Sequence, residues 1–342
     1  MATILASIPD DVEATSSTPV RWQESMRNAV RSSEELLRML GLPKSMASGA
    51  AEADFPVFVP REFIAKMRFG DPHDPLLRQV LASPDEVSEE WADGGLRDPV
   101  GDQAATRHPG LLQKYAGRAL LITSGVCAVH CRYCFRRNFP YQLAPKGPSG
   151  WQASLDSIRN DASIEEVILS GGDPLTVTDS QLQWLVNALN QIKHVRRIRI
   201  HSRVPVVIPQ RICSDLLAWV QSSRAAVYFV LHVNHPAEID AEFAAAMKLL
   251  RSSGASLLNQ SVLLRGVNDS SAVQLDLCRE LINLQVIPYY LHQLDRVVGS
   301  LHFESTEQVG HAIIRHLREN LPGYAVPKFV RELAGEPSKT PL

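Results

Sequence analysis

A repeat of short apolar runs is the feature that most constrains the fold of this 342-residue chain. Six runs are typical of buried strands, and amphipathic segments with helical period separate them. From the second run onward the repeat is about thirty residues, the size of one strand-helix unit with parallel strands. The six runs span residues 119–123, 166–169, 198–201, 227–232, 256–264 and 286–291. The pattern predicts an α/β fold, a partial (β/α)6 TIM-like barrel.

The sequence before this repeat has a different pattern. We therefore divide the chain into an accessory region, residues 1–110, and a barrel, residues 111–342. The accessory region is predicted to be mostly helical. Apolar spacing predicts helices over 22–40 and 60–70, and the sequence over 71–109 is rich in Asp, Pro and Gly, which favours loops and short helices. Residues 1–20 are aperiodic and are predicted to be a frayed terminus.

Charge and composition exclude several classes of partner. The formal net charge is −2 and basic residues are interspersed with acidic ones, so neither nucleic acid nor an anionic membrane is an expected partner. The start of the chain lacks a signal-peptide pattern, and no apolar stretch is long enough to span a bilayer. These features predict a cytoplasmic protein. Of the five cysteines, Cys213 and Cys278 stand alone in helical patterns and are expected to be small buried residues.

The other three cysteines carry the strongest chemical signal. Cys127, Cys131 and Cys134 directly follow the first apolar run with Cys-x3-Cys-x2-Cys spacing. Three thiolates can hold three irons of a [4Fe-4S] cluster, whose ligands are normally four cysteines, so one iron stays open to another ligand. A zinc site is the alternative, but structural zinc needs four closed ligands and only His130 is close in sequence.

This triplet, after the first strand of a partial barrel, resembles the radical S-adenosylmethionine superfamily. The resemblance implies that the open iron binds S-adenosylmethionine and that cleavage of the cofactor gives a 5'-deoxyadenosyl radical. After the second run, Ser170, Gly171, Gly172 and Asp173 resemble the turn that receives the methionine amino group of that cofactor. Glycine there lets the backbone approach a ligand closely, although the same residues also suit an ordinary tight turn.

From Lys114 to the end, the chain further resembles the lysine 2,3-aminomutase family, and within it the shorter bacterial enzymes that serve maturation of elongation factor P. The supporting runs are residues 113–118, 131–137, 201–207, 234–239, 259–269, 288–292 and 336–341. The family also uses pyridoxal 5'-phosphate, held as a Schiff base on a lysine that matches Lys339. We therefore expect the C-terminal tail to fold back over the barrel mouth, although its composition alone is that of a flexible linker.

The resemblance implies further site residues. Arg136 matches an arginine that binds the substrate carboxylate, and Asp295 and Glu332 match two acids that bind a distal ammonium. Predicted contacts of pyridoxal phosphate are Lys114, Tyr115 and Arg118, and predicted neighbours of S-adenosylmethionine are His232 and Gln260. From the residues alone, each of these could be a solvated charge or a hydrogen-bonded core residue.

The implied activity is conversion of L-lysine to β-lysine, in the R form. Implied partners are an electron donor such as flavodoxin or ferredoxin, and elongation factor P with its lysine ligase; a homo-oligomer is left open. The longer family members have aspartate where this chain has Glu332, which puts product handedness in question. The alternatives are an aminomutase acting on glutamate or arginine, a modifying radical enzyme that needs no pyridoxal phosphate, and an inert iron-sulfur or zinc module.

Overall fold

A single mixed β-sheet organises the chain in the computed structural model, which describes residues 21–342. Its ten strands, β1 to β10, are Thr106–His108, Leu111–Leu112, Arg118–Ser124, Glu166–Gly171, Arg197–Ser202, Ala226–Leu231, Ser256–Val262, Ile287–His292, Lys328–Arg331 and Thr340–Pro341. Strand order in the sheet follows chain order. The seven strands β3 to β9 are parallel to their neighbours, and antiparallel strands flank them on both sides.

The six predicted strands are confirmed as β3 to β8, with ends shifted by up to two residues. Their register aligns a row of buried side chains across the sheet: Leu121, Leu169, Ile200, Phe229 and Leu257. In β5 and β7 buried residues alternate with less buried ones, so one face of these strands is packed, and the apolar residues of that face made the runs recognisable in the sequence. Among the described strands β1 does not pair with β10, so the sheet is an open, partial barrel.

Helices connect the parallel strands and cover one face of the sheet. In the described part of the chain the twelve α-helices, α1 to α12, are Trp22–Arg27, Ser33–Met39, Gly49–Asp54, Arg61–Ile64, Pro75–Arg78, Gly147–Asn160, Asp179–Asn190, Val204–Val207, Ser214–Gln221, Ala241–Ser252, Ser271–Asn283 and Glu307–Asn320. The helical period predicted for the segments between strands is confirmed in α7, whose Leu182, Leu185, Val186 and Leu189 are all buried. No helix within residues 21–342 is long and apolar enough to cross a membrane.

The predicted helices of the accessory region are wrong in length. The segment predicted as one helix over 22–40 is two helices, because Val30 forms an antiparallel bridge with Val59 and Ser32 caps α2 by accepting from the Glu35 N–H. The helix predicted over 60–70 is the four-residue α4, followed by turns. A bridge between distant residues cannot be read from local periodicity. The terminus predicted to be frayed, 1–20, lies outside the described residues.

The tail returns to the barrel, as predicted. Strand β9 extends the parallel sheet beyond the six predicted strands, and β10 pairs antiparallel with it through Thr340 with Arg331 and Pro341 with Val330. The Leu342 N–H donates to the Phe329 carbonyl at 3.0 Å. These backbone bonds fix Lys339, the residue just before β10, over the mouth of the barrel.

Candidate active site

One cavity of about 410 Å³ opens at the carboxyl ends of the parallel strands. This is the edge at which barrel enzymes carry their chemistry. All predicted site residues line this cavity: Lys114, Tyr115, Arg118, Cys127, Cys131, Cys134, Arg136, Ser170, Gly171, Gly172, Asp173, His232, Gln260, Asp295, Glu332 and Lys339. The tertiary structure thus gathers residues from the start, middle and end of the barrel around one volume.

The cysteine loop is held in place by the accessory region. The His130 N–H donates to the Phe58 carbonyl at 2.9 Å, and its Nδ1 lies 2.7 Å from the Pro56 carbonyl. The neighbouring Arg132 is completely buried and forms an ion pair with Glu86 at 2.6 Å. Such a loop is fixed before any ligand binds, which lowers the entropy cost of gathering three thiolates.

The residues of this loop fit a [4Fe-4S] cluster. Cys127, Cys131 and Cys134 are free, partly buried thiols that face the same cavity. Burial, then the neighbouring cysteine sulfurs, raise the pKa of Cys127 well above its usual range, and burial chiefly raises the pKa of Cys134 to about 11. Metal binding therefore has to displace their protons. In the described part of the chain, no three Cys, His, Asp or Glu side chains converge on a point suited to one metal ion.

The glycine turn after β4 packs against the cysteine loop. Gly171 has φ +128°, and a Cβ on it would lie 2.2 Å from the Ser124 carbonyl oxygen; a Cβ on Gly172 would lie 2.5 Å from that of Val126. The N–H groups of Gly172 and Asp173 donate to those two carbonyls at 2.8 Å. Glycine is thus required here for contact with the chain's own backbone, and the predicted contact with a ligand stays a prediction.

Asp173 anchors this turn. Its carboxylate accepts hydrogen bonds from the backbone N–H groups of Leu175, Arg203 and Val204 and from the Ser202 hydroxyl, at 2.8 to 3.2 Å. Burial raises its pKa to about 6 in spite of these bonds. Because four donors surround two oxygens, the predicted role of this carboxylate in cofactor binding needs one of these bonds to open.

A chain of ion pairs crosses the cavity. Arg136 Nε donates to Asp102 Oδ2 at 2.6 Å, and Lys114 Nζ lies 2.7 Å from both Asp102 Oδ1 and Glu332 Oε1. The other oxygen of Glu332 contacts Lys339 Nζ. Burial alone would raise the pKa of the two acids, but Arg136 and Lys114 lower that of Asp102, and Lys339 and Lys114 that of Glu332, to about 2 in each case. Both are ionised at neutral pH.

The three predicted contacts of pyridoxal phosphate differ in how free they are to bind it. Lys114 already contacts two carboxylates and donates to the Val100 carbonyl at 2.9 Å, so its predicted contact with pyridoxal phosphate requires an exchange of partners. Tyr115 and Arg118 are better suited than Lys114 to bind a phosphate group. The Tyr115 hydroxyl is buried and has no hydrogen-bond partner within residues 21–342, and the Arg118 guanidinium stacks 4.6 Å above the Tyr115 ring. Both stay predicted ligands.

His232 and Gln260 form a pair on adjacent strands, with 2.8 Å between His232 Nε2 and Gln260 Nε2. Burial, and then the charges of Arg203 and Arg136, lower the pKa of His232 to about 3, so the ring is neutral. Ser170 accepts from Arg136 Nη1 at 3.3 Å. Their predicted contacts with S-adenosylmethionine remain predictions.

Asp295 differs from the other acids because no described side chain forms an ion pair or hydrogen bond with its carboxylate. Burial and then the nearby charge of Glu332 raise its pKa to about 7, and the charges of Lys339 and Lys114 only partly oppose this. An unpaired, partly dehydrated carboxylate is a site prepared for a cation. The ammonium group of a ligand would supply the missing charge.

This raised pKa predicts a pH-dependent stability. Between about pH 4 and about pH 7 the folded chain keeps the Asp295 proton that the unfolded chain has released, so the free energy of unfolding falls as pH rises through this window. We expect Asp295→Asn to gain roughly 2 kcal/mol relative to the unsubstituted protein between about pH 5 and about pH 8. Urea denaturation at both pH values measures this, with the exposed Asp276→Asn as control. Equal pH dependence of all three proteins would contradict the assignment.

Sequence reasoning missed several residues that line the cavity. His201 and His292 stand at or next to the ends of β5 and β8, and the Nε2 atom of each is buried without a partner among the described residues. Burial lowers the pKa of both rings well below the usual range. Their position at strand ends was the available signal. No sequence signal marked Asp102 as a site residue, because it lies in a segment whose composition predicts loops.

An open barrel of parallel strands, with three cysteines after its first strand and a glycine turn after its second, defines the radical S-adenosylmethionine class of enzymes. No family model matches the chain. It is 45% identical over 333 residues to an L-lysine 2,3-aminomutase of Escherichia coli (strain K12), covering 96% of each chain. The chain belongs to the L-lysine 2,3-aminomutase family.

Two further relatives show the range of this similarity. An L-lysine 2,3-aminomutase of Haemophilus influenzae is 44% identical and is covered over 94% of its length, with 93% of this chain. One of Clostridium subterminale is 36% identical and is covered over 77%, with 94% of this chain. Among solved structures, a radical SAM methyltransferase from Sphaerobacter thermophilus aligns with a TM-score of 0.47 and 18% identity, over 65% of this chain and 68% of that one.

Proposed function

We propose that this chain converts L-lysine to β-lysine by moving the amino group from carbon 2 to carbon 3. It does so with a [4Fe-4S] cluster, S-adenosylmethionine and pyridoxal 5'-phosphate. The observation that carries the proposal is the position of Lys339, which the tail strand β10 holds in the same cavity as the three cysteines. Family membership supports lysine as the substrate, and the charges of the cavity support the same substrate independently.

The charges of the cavity suit a molecule with an anionic and a cationic end. Arg136 is a nearly buried guanidinium, the group best suited to hold a carboxylate through two parallel hydrogen bonds. Asp295, three residues beyond β8, and Glu332, the residue after β9, offer negative charge. A substrate with an acidic distal group would meet two carboxylates there, which disfavours glutamate.

Lys339 fits the role of the cofactor-binding lysine. Its nitrogen contacts Glu332 and lies 6.0 Å from the centre of the Tyr290 ring. Lys339 would hold pyridoxal phosphate through its amine, which would exchange its contact with Glu332 for the bond to the cofactor. The freed carboxylate of Glu332 is then available to the substrate's ammonium group, which couples loading of the cofactor to binding of lysine.

When bound, S-adenosylmethionine and the cluster supply a carbon-centred radical for hydrogen abstraction, and pyridoxal phosphate supplies a conjugated ring that spreads an unpaired electron. The protein's share is positioning and exclusion of water. Arg136 and Asp295 fix the two ends of the substrate, and the tail covers the mouth. The neutral rings of His201, His232 and His292 line the interior without adding charge.

Product analysis tests this proposal. Anaerobically reconstituted enzyme, supplied with S-adenosylmethionine, pyridoxal phosphate and dithionite, is incubated separately with labelled lysine, glutamate and arginine. We expect β-lysine from lysine, the R form on chiral chromatography, and no rearrangement of the other two. Turnover of glutamate or arginine in place of lysine would establish one of the other aminomutases. Deoxyadenosine formation that is independent of pyridoxal phosphate would instead favour a modifying enzyme.

We also infer that the product is used to modify elongation factor P through a lysine ligase, and that flavodoxin or ferredoxin supplies the electron. The support is the similarity along 96% of the Escherichia coli relative, against 77% coverage of the longer Clostridium one. Adding the enzyme to ligase, elongation factor P and lysine should raise the mass of elongation factor P by one lysyl unit. An unchanged mass with active ligase and added β-lysine as positive control would contradict this use.

A further inference from the structure

A buried polar network surrounds Cys131, and the proposed function does not use it. Arg203 follows β5 and is 4% exposed. Its Nη1 donates to Cys131 Sγ at 2.9 Å and to the Tyr133 hydroxyl at 2.7 Å. Its Nη2 donates to Gln79 Oε1 at 2.7 Å and to Glu238 Oε2 at 3.0 Å. One guanidinium therefore links a predicted cluster ligand to a buried carboxylate.

The rest of the network holds this guanidinium rigidly. Asn234 Nδ2 donates to the Tyr133 hydroxyl at 2.7 Å and to Gln79 Oε1 at 3.0 Å. The other oxygen of Glu238 accepts from Gln79 Nε2 at 3.3 Å and from the Asn234 N–H at 3.0 Å. Because the Tyr133 hydroxyl accepts two hydrogen bonds, its own hydrogen is free to donate, and the Cys131 sulfur is its neighbour.

This arrangement is specific to one of the three sulfurs. Within residues 21–342, Arg203 is the guanidinium that reaches a cysteine of the loop, and no side chain donates a hydrogen bond to Cys127 or Cys134. Glu238, Gln79 and Asn234 are at most 1% exposed, so little water screens the charges. A buried charge pair is costly to assemble and is weak evidence for stability, so another role is worth seeking.

We propose that Arg203, balanced by Glu238, sets the reduction potential of the iron-sulfur cluster. Arg203 is thus a positioning and tuning residue that acts through Cys131, and the inference rests on the cluster of the proposed function. One electron from a one-electron carrier adds one negative charge to the cluster. A cationic donor at a ligand sulfur stabilises that reduced form and raises the potential, whereas the nearby carboxylate of Glu238 limits the increase.

Anaerobic redox titration, followed by electron paramagnetic resonance of the reduced cluster, tests this. At the potential where half of the unsubstituted protein is reduced, we expect Arg203→Met to show a roughly tenfold lower ratio of reduced to oxidised cluster, which is about 59 mV for one electron. Glu238→Gln leaves the arginine charge unbalanced and should shift the potential the opposite way. The control is Arg211→Met, which removes another fully buried arginine, paired with Asp179, outside the cavity.

Opposite shifts cannot arise from general loosening of the fold, which would act on both variants alike. Iron and sulfide content establishes that the cluster is present before each titration. A protein without substitutions that assembles no cluster contradicts the proposed function. Assembled clusters with equal potentials, or with shifts of one sign in both variants, overturn the role of Arg203. If Arg203→Met does not retain its cluster, Glu238→Gln decides alone: an unchanged or lowered potential in that variant also overturns the role of Arg203.

Discussion

Replacement of Lys339 by alanine is expected to lower the rate of β-lysine formation by at least about a thousandfold, because it removes the proposed covalent attachment point of pyridoxal 5'-phosphate. The fold should survive, since Lys339 is partly exposed and precedes the backbone bonds of β10. Absorbance of bound pyridoxal phosphate in the Schiff-base region, together with product formation, measures the effect.

Lys328→Ala is the matched control. Lys328 lies on β9, the strand that pairs with the tail, but its side chain is exposed and outside the cavity. We expect it to keep the absorbance and the activity. If Lys339→Ala keeps both as well, pyridoxal phosphate is not attached there, and a radical enzyme that needs no pyridoxal becomes the better interpretation.

The second large effect is expected at Asp102, a residue outside the barrel strands. Asp102→Asn leaves Arg136 and Lys114 without their shared carboxylate, and removal of one partner from a buried ion pair costs about 3–5 kcal/mol. We expect a clear loss of thermal stability and a KM for lysine raised roughly a hundredfold. Arg136 would be less well oriented, and each 1.4 kcal/mol of binding free energy lost in this way weakens binding about tenfold. Thermal unfolding and steady-state kinetics measure the two effects.

Asp161→Asn supplies the control for this substitution. Asp161 pairs with Arg107 at 2.9 Å on the protein surface, where an ion pair contributes about 0–1 kcal/mol. It should leave stability and kinetics nearly unchanged. An Asp102→Asn enzyme with the original KM would show that the orientation of Arg136 does not depend on Asp102. The accessory region would then not contribute to substrate binding through Asp102.

The division at residue 110 separates the accessory region from the barrel. It follows a real change of pattern in the sequence and stays a prediction, but the accessory region does more than cover the barrel. Phe58 and Pro56 hold the cysteine loop, and Asp102 enters the cavity. Gln79 joins the network around Cys131. The accessory region therefore contributes directly to the site.

The strands and the cysteine loop were predictable from the sequence alone. A strand with one packed face needs apolar residues that recur within a short run, and three ligands of one cluster can lie within eight residues of each other, so both signals are local. Resemblance to a family supplied Lys339, Arg136, Asp295 and Glu332, which composition and periodicity alone would have assigned to a solvated surface.

The way in which these groups meet could be seen only in the folded chain. The contact of Lys339 with Glu332, the position of Asp102 between Arg136 and Lys114, and the bond from Arg203 to Cys131 all join segments far apart in the chain. Such contacts depend on strand register and on the paths of loops at one edge of the sheet. No local pattern encodes them, because the electrostatic free energy of each group depends on neighbours that the folded chain alone supplies.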